Sequence, residues 1–149
     1  MINGVIYVRV SSAAQVDGTS LDEQVRKCTT YCEENNIDVV RVFRDEGQSA
    51  KSTDRKEFLN SIQFCGDTKN KIEKFVVYKV DRFARNAEDH FMVRKTLMDY
   101  GVTLESVTEA IGNNPAEKVM ESMLAAFAEF DNSFPHWYEE LNDSKVIKR

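Results

Sequence analysis

Apolar residues in this chain follow two spacings. Short, nearly unbroken β-branched or aromatic runs occur at residues 5–10, 39–43, 75–80 and 102–107. Between them lie longer stretches in which apolar residues recur every three or four positions. Continuous apolar runs bounded by polar segments read as parallel strands buried on both faces, and the longer period reads as amphipathic helix. Four strands are therefore expected, each followed by a helix. Ser20 opens the first helix with Glu23 three residues on, a capping box, and this helix runs to about residue 35. Asp54 is the expected cap of the second, which has Glu57 at its third position and Phe58, Ile62 and Phe64 as core candidates. The third covers about 87–100 and ends at Gly101. Asn114-Pro115 with Glu117 starts the last, which carries Val119, Met120, Met123, Leu124, Phe127 and Phe130 at helical spacing. This alternation predicts a three-layer α/β/α domain around a mostly parallel sheet of four to five strands.

Composition narrows the class. At 149 residues, 42% of them apolar and 30% charged, one globular domain is expected rather than a disordered chain. No run approaches the roughly 20 apolar residues of a membrane helix, and the first residues lack a secretory pattern, so a cytoplasmic protein with no membrane partner is expected. The net charge of −5 counts against a dedicated nucleic-acid module, though not against a local basic site. Of the three cysteines, Cys28 and Cys32 lie four apart in line with Leu21 and Val25, the pattern of reduced thiols on an apolar helix face. His90 and His136 stand at unrelated places, so no zinc site is expected.

The chemistry gathers at the ends of two strands. In open α/β sheets, ligands bind outside the carboxyl ends of the strands. The first strand ends in Arg9, Ser11 and Ser12, and the third in Lys79, Asp81, Arg82 and Arg85. Arg9 and Ser11 share strand parity while Ser12 points away, which makes Ser11 the better nucleophile. Arginine forks bind two phosphate oxygens at once, and preorganised cations stabilise the charge that builds on a phosphodiester under attack. Arg55, after the polar loop at 44–53, is a further cation for this site. Asp45 and Asp81, near carboxyl ends of strands, could orient arginines or move a proton. Any one of these residues alone is equally well a paired surface charge or a loop cap; their convergence favours a site. There is no Walker motif or dinucleotide fingerprint. Two aspartates could in principle hold Mg²⁺, but the surrounding arginines already neutralise them, so neither metal nor cofactor is expected.

Several motifs, in order, resemble the catalytic domain of the serine site-specific recombinases, the resolvase/invertase family. They are Tyr7-Val-Arg-Val-Ser-Ser12, Ser20-Leu-Asp-Glu-Gln24, Asp45-Glu-Gly-Gln-Ser49, Asp54-Arg55, Tyr78-Lys-Val-Asp-Arg-Phe-Ala-Arg85 and Ala128-Glu-Phe-Asp131. The wording is nearest the large-serine branch of phage integrases and transposon recombinases. The resemblance spans residues 4 to about 132. It implies a sheet ordered 2-1-3-4, with a fifth, antiparallel strand near 108–111. It implies attack by Ser11 on double-stranded DNA, a 5′-phosphoserine intermediate and religation, without metal or ATP, in a bacterial or phage-encoded, nucleoid-associated protein. It places Arg9, Asp45, Arg55, Lys79, Asp81, Arg82 and Arg85 in the site, with Gln24 in support and Asp81 assisting the leaving oxygen. It also implies a homodimer, and a tetramer in synapsis, through the helix at about 115–131.

The family's last helix continues as a basic arm that leads to DNA-binding domains. Here residues 133–149 read instead as an atypical tail: broken by Pro135, acidic at Glu139, Glu140 and Asp143, and carrying Phe134, Trp137, Tyr138 and Leu141 as a cluster able to dock on the domain or on a partner. An arm and DNA-binding domains are expected to be missing, so that the chain does not recombine DNA alone. A non-catalytic domain that oligomerises with full-length recombinases and modulates them is the alternative, and a generic phosphate-binding α/β domain is a third reading.

Overall fold

The computed structural model describes residues 2–10, 20–46, 56–79, 87–108 and 140–141. Strand β1 (Ile2–Val10) is followed by helix α1 (Leu21–Glu34), strand β2 (Ile37–Glu46), helix α2 (Lys56–Gly66), a short 3₁₀ turn (Thr68–Asn70), strand β3 (Lys74–Val77), helix α3 (Ala87–Asp99) and strand β4 (Thr103–Ser106). All described strand pairs are parallel and the order is β2-β1-β3-β4, as the sequence motifs implied. The fifth strand near 108–111 and the helix at 115–131 fall outside the described residues.

The central strand explains the architecture. Val5, Ile6, Tyr7 and Val8 are all fully buried, so β1 needs cover on both faces. On one face α1 lays Cys28 and Cys32 over Ile6, Val8, Val76 and Tyr78, with Leu21 and Val25 packed at the margin. On the other, α2 and α3 bring Phe58, Ile62, Cys65, Met92, Val93 and Leu97 onto Val5, Tyr7, Phe43, Phe75, Val77 and Leu104. Tyr7, Phe58 and Phe75 form a mutual aromatic cluster there, with ring centroids 5.2–6.4 Å apart. Phe64, expected in the core, is half-buried at the margin, where it meets the Phe43 ring and the Arg41 guanidinium.

Local signals set the boundaries. Ser20 caps α1, its hydroxyl accepting from the Glu23 amide at 3.1 Å. Glu23 itself turns to Arg26 and Lys27. Gly101, at φ +79°, ends α3 in the left-handed region that favours glycine. Among the described residues, no helix is long and apolar enough to cross a membrane, and no group of His, Cys, Asp and Glu could hold a metal ion.

The three thiols are buried, and burial pushes Cys28 and Cys65 up to about 12 and Cys32 to about 11, from an ordinary 9.0. Glu105 and Glu33 add to the shift at Cys32. Two results are expected. At pH 8 the native thiols resist a disulfide reagent, reacting at least roughly a hundredfold more slowly than in denaturant. The contribution of these thiols to stability should be level below pH 9, then be lost as pH rises toward 11–12. The native pKa values are raised, so the unfolded chain ionises first and gains relative to the native state. A denaturant midpoint that is unchanged between pH 8.5 and 10.5 would contradict this.

Candidate active site

The carboxyl end of the sheet carries the polar residues. Arg9 and Asp45 are register partners on β1 and β2. Tyr7 pairs with Val77, the last pair of that ladder, and Lys79 follows two residues past the end of β3 on the other side of the central strand. The end of β3 is stitched to β4: the Ser106 and Thr108 hydroxyls donate to the Tyr78 carbonyl at 3.1 and 3.2 Å, and the Val107 amide donates to the Val77 carbonyl. The Lys79 and Lys27 ammonium groups lie 5.7 and 5.4 Å from the centre of the Tyr78 ring. The lysine at this edge is thereby held beside an aromatic face.

Gln24 reaches the same place from α1. It is fully buried, and its side-chain amide donates to the Arg9 carbonyl at 3.1 Å. This fixes the backbone two residues before Ser11. The Gln24 Oε1 meets no donor among the described residues. A buried amide oxygen ordinarily has a partner, so this atom is suited to receive a donor from the neighbouring segment or from a ligand.

Asp45 has a different surrounding from the one its sequence context suggested. It is 6% exposed, and its carboxylate accepts from the Tyr7 hydroxyl at 2.7 Å and from the Glu57 and Phe58 amides at 3.0 Å each. The first-turn amides of α2 thus take their acceptor from β2, 12 and 13 residues back in sequence. Asp54, the expected cap, lies outside the described residues. The described contacts of Asp45 are a phenol and a helix N-terminus, where a carboxylate also meets the positive end of the helix dipole. Asp45 therefore pins the start of α2, immediately after Arg55, against the strand that carries Arg9.

A bulge aims Asp45 at α2. Register between β1 and β2 slips between Gly4 and Val5, where Gly4 pairs with Val39 and Val5 with Arg41. Before the slip, Ile37 and Val39 face α1; after it, Phe43 faces α2 while Val42 takes the α1 side. The extra residue, Val40, is left 44% exposed. Without the slip, strand alternation would turn Asp45 toward α1. Gly4 permits the close approach, because a Cβ there would sit 2.6 Å from the Ile37 Cγ2.

Of the residues singled out from sequence, the structure brings Arg9, Gln24, Asp45 and Lys79 to one end of the sheet. Ser11, Arg55, Asp81, Arg82 and Arg85 fall outside the described residues. Tyr7 was missed, because within an apolar run an aromatic residue reads as core. Its ring is core, but its hydroxyl donates to Asp45.

Comparison with known proteins agrees with this geometry. The family described as "Resolvase, N terminal domain" matches residues 4–135, and the chain belongs to that family. Among curated relatives, the transposon Tn21 resolvase of Escherichia coli is 34% identical over 133 residues, which cover 85% of this chain and 61% of the relative. The transposon Tn552 resolvase of Staphylococcus aureus is 30% identical over 132 residues, covering 85% and 58%. The chain thus spans about three-fifths of the length of these relatives. Among solved structures, a resolvase family site-specific recombinase from Streptococcus pneumoniae superposes with a TM-score of 0.69 at 29% identity, over 99% of this chain and 95% of that one. The N-terminal catalytic domain of TP901-1 integrase gives 0.67 at 25% identity, over 87% and 96%. The resemblance to both the resolvases and the integrase branch, read from sequence motifs, is borne out.

Proposed function

We propose that this chain is the catalytic domain of a site-specific DNA recombinase that cuts and rejoins double-stranded DNA through Ser11. The supporting observation is the convergence at one sheet end of Arg9, Lys79, Gln24 and the Asp45–α2 clamp; in sequence, Ser11 follows Arg9 by two residues, Arg55 precedes α2, and Asp81, Arg82 and Arg85 follow Lys79 within six residues. In the forward step the Ser11 oxygen bonds to phosphorus and the bond to the DNA 3′-oxygen breaks. This leaves a 5′-phosphoserine and a 3′-hydroxyl, the proton released by serine balancing the one gained by the leaving oxygen. Religation is the reverse attack by a 3′-hydroxyl. One phosphodiester is exchanged for another, so the bond energy is conserved and no nucleotide hydrolysis is needed. Arg9, Arg55, Arg82 and Arg85 bind and neutralise the non-bridging oxygens, with Lys79 adding positive charge. Asp81 assists the leaving oxygen. The helix at about 115–131 joins subunits into a dimer and, in synapsis, a tetramer.

The test is covalent trapping. Residues 1–132 are fused to the arm and DNA-binding region of the Tn21 resolvase, mixed with that resolvase's DNA site and quenched in detergent. The fusion should form a protein–DNA adduct, and Ser11→Ala should reduce it by at least roughly a thousandfold. Equal adduct from the Ser11→Ala fusion would remove Ser11 from the mechanism. No adduct from either fusion, with the intact Tn21 resolvase active alongside, would favour a non-catalytic domain that modulates recombinases by mixed assembly.

A further inference from the structure

Leu141 sits in a polar stretch, Glu139-Glu-Leu-Asn-Asp143, yet is only 2% exposed. It belongs to the apolar cluster between the sheet and helices α2 and α3, together with Val5, Tyr7, Phe58 and Leu97. Its neighbour Glu140 is exposed, and both residues are helical. The chain therefore turns one side chain to solvent and the next into the core at this point. Complete burial of a leucine side chain is also a substantial driving force for keeping the segment there.

We propose that Leu141 is an intramolecular latch: its side chain closes the core beneath α2 and α3, and it can leave that seat without unfolding the rest of the domain. This goes beyond the recombination reading and does not depend on it. The sealed layer holds Tyr7 and Phe58, the residues that carry the Asp45 clamp, so the seat bears on the order of the candidate site. While Leu141 is seated, its side chain is unavailable to a partner.

The native thiols supply a face-resolved test. Cys65 lies in the same cluster as Leu141, whereas Cys28 and Cys32 lie across the sheet under α1. In the full chain, Glu140→Cys should be labelled by a maleimide at the rate of an exposed thiol, and Leu141→Cys at least about a hundredfold more slowly. This ratio should hold over a hundredfold dilution. Leu141→Ala should then speed labelling of Cys65 by roughly tenfold or more, with Cys28 and Cys32 unchanged, as resolved by mass spectrometry. Equal labelling at 140 and 141 would overturn the latch. So would protection that disappears on dilution, which would mean tails exchanged between copies. Acceleration of all three native thiols together would also overturn it, making Leu141 a core residue of one cooperative unit rather than a separable latch.

Discussion

Asp45→Ala should lower the stability of this domain by about 3 kcal/mol and the melting temperature by roughly 10 °C. The substitution removes the acceptor of the Glu57 and Phe58 amides and of the Tyr7 hydroxyl. The Tyr7 and Phe58 bonds are buried, so water cannot fully replace them. Asn at 45 keeps one acceptor oxygen and should fall between the two. Tyr7→Phe keeps the helix cap and the ring packing and should cost only about 1 kcal/mol. In the recombinase fusion, Asp45→Ala should also suppress adduct formation, because the start of α2, next to Arg55, is no longer pinned beside Arg9. Calorimetry on the native chain and trapping on the fusion give the two readouts. A variant as stable as the parent would show that the clamp contributes nothing to the fold.

Arg9→Ala should behave in the opposite way. The Arg9 side chain is half-buried at the end of β1, and Gln24 holds its carbonyl, which survives the substitution. Stability should change by no more than about 0.5 kcal/mol. Adduct formation should fall about a hundredfold, the loss of roughly 3 kcal/mol typical of one preorganised contact to developing charge. Lys at 9 restores charge but not the two-pronged fork, and should recover only part of the rate. The contrast separates a residue that meets the phosphate from one that positions its neighbours. An Arg9→Ala fusion with parental adduct rates would place Arg9 outside the reaction.

Much of this was legible in the chain. The buried strands announced themselves because β1 and β3 are covered on both faces, so nearly every residue is apolar. The limits of β2 were less legible. It runs from Ile37 to Glu46, well beyond the apolar stretch, because as an edge strand it carries Asp38, Arg41 and Arg44 toward solvent. The roles of Asp45 and Tyr7 could not be read at all. The contact joins residues 38 apart and depends on a one-residue bulge that reverses which face Asp45 occupies. No local periodicity encodes that. The sequence pointed to Arg9, Asp45 and Lys79 at strand ends, and to Gln24 by family resemblance alone, as residues of the candidate site. Leu141 was singled out only as part of a cluster with two possible destinations. Its acidic neighbours gave no sign of a seat in the main core.

The central position of β1 also bears on how the chain emerges from a ribosome. Its first ten residues contain the strand that both neighbours need, yet β3, its second partner, ends at Val77. Until that point has been synthesised, one edge of Gly4–Tyr7 has no strand to pair with, and the α2–α3 face lacks the Phe75 and Val77 side chains that complete it. An apolar strand with a bare edge is a template for pairing with another chain. The nascent protein therefore passes through a long interval in which a segment that ends fully buried depends on a chaperone, or on α1 and β2 alone, for protection. Stalled products that end before residue 74 should be the ones that aggregate.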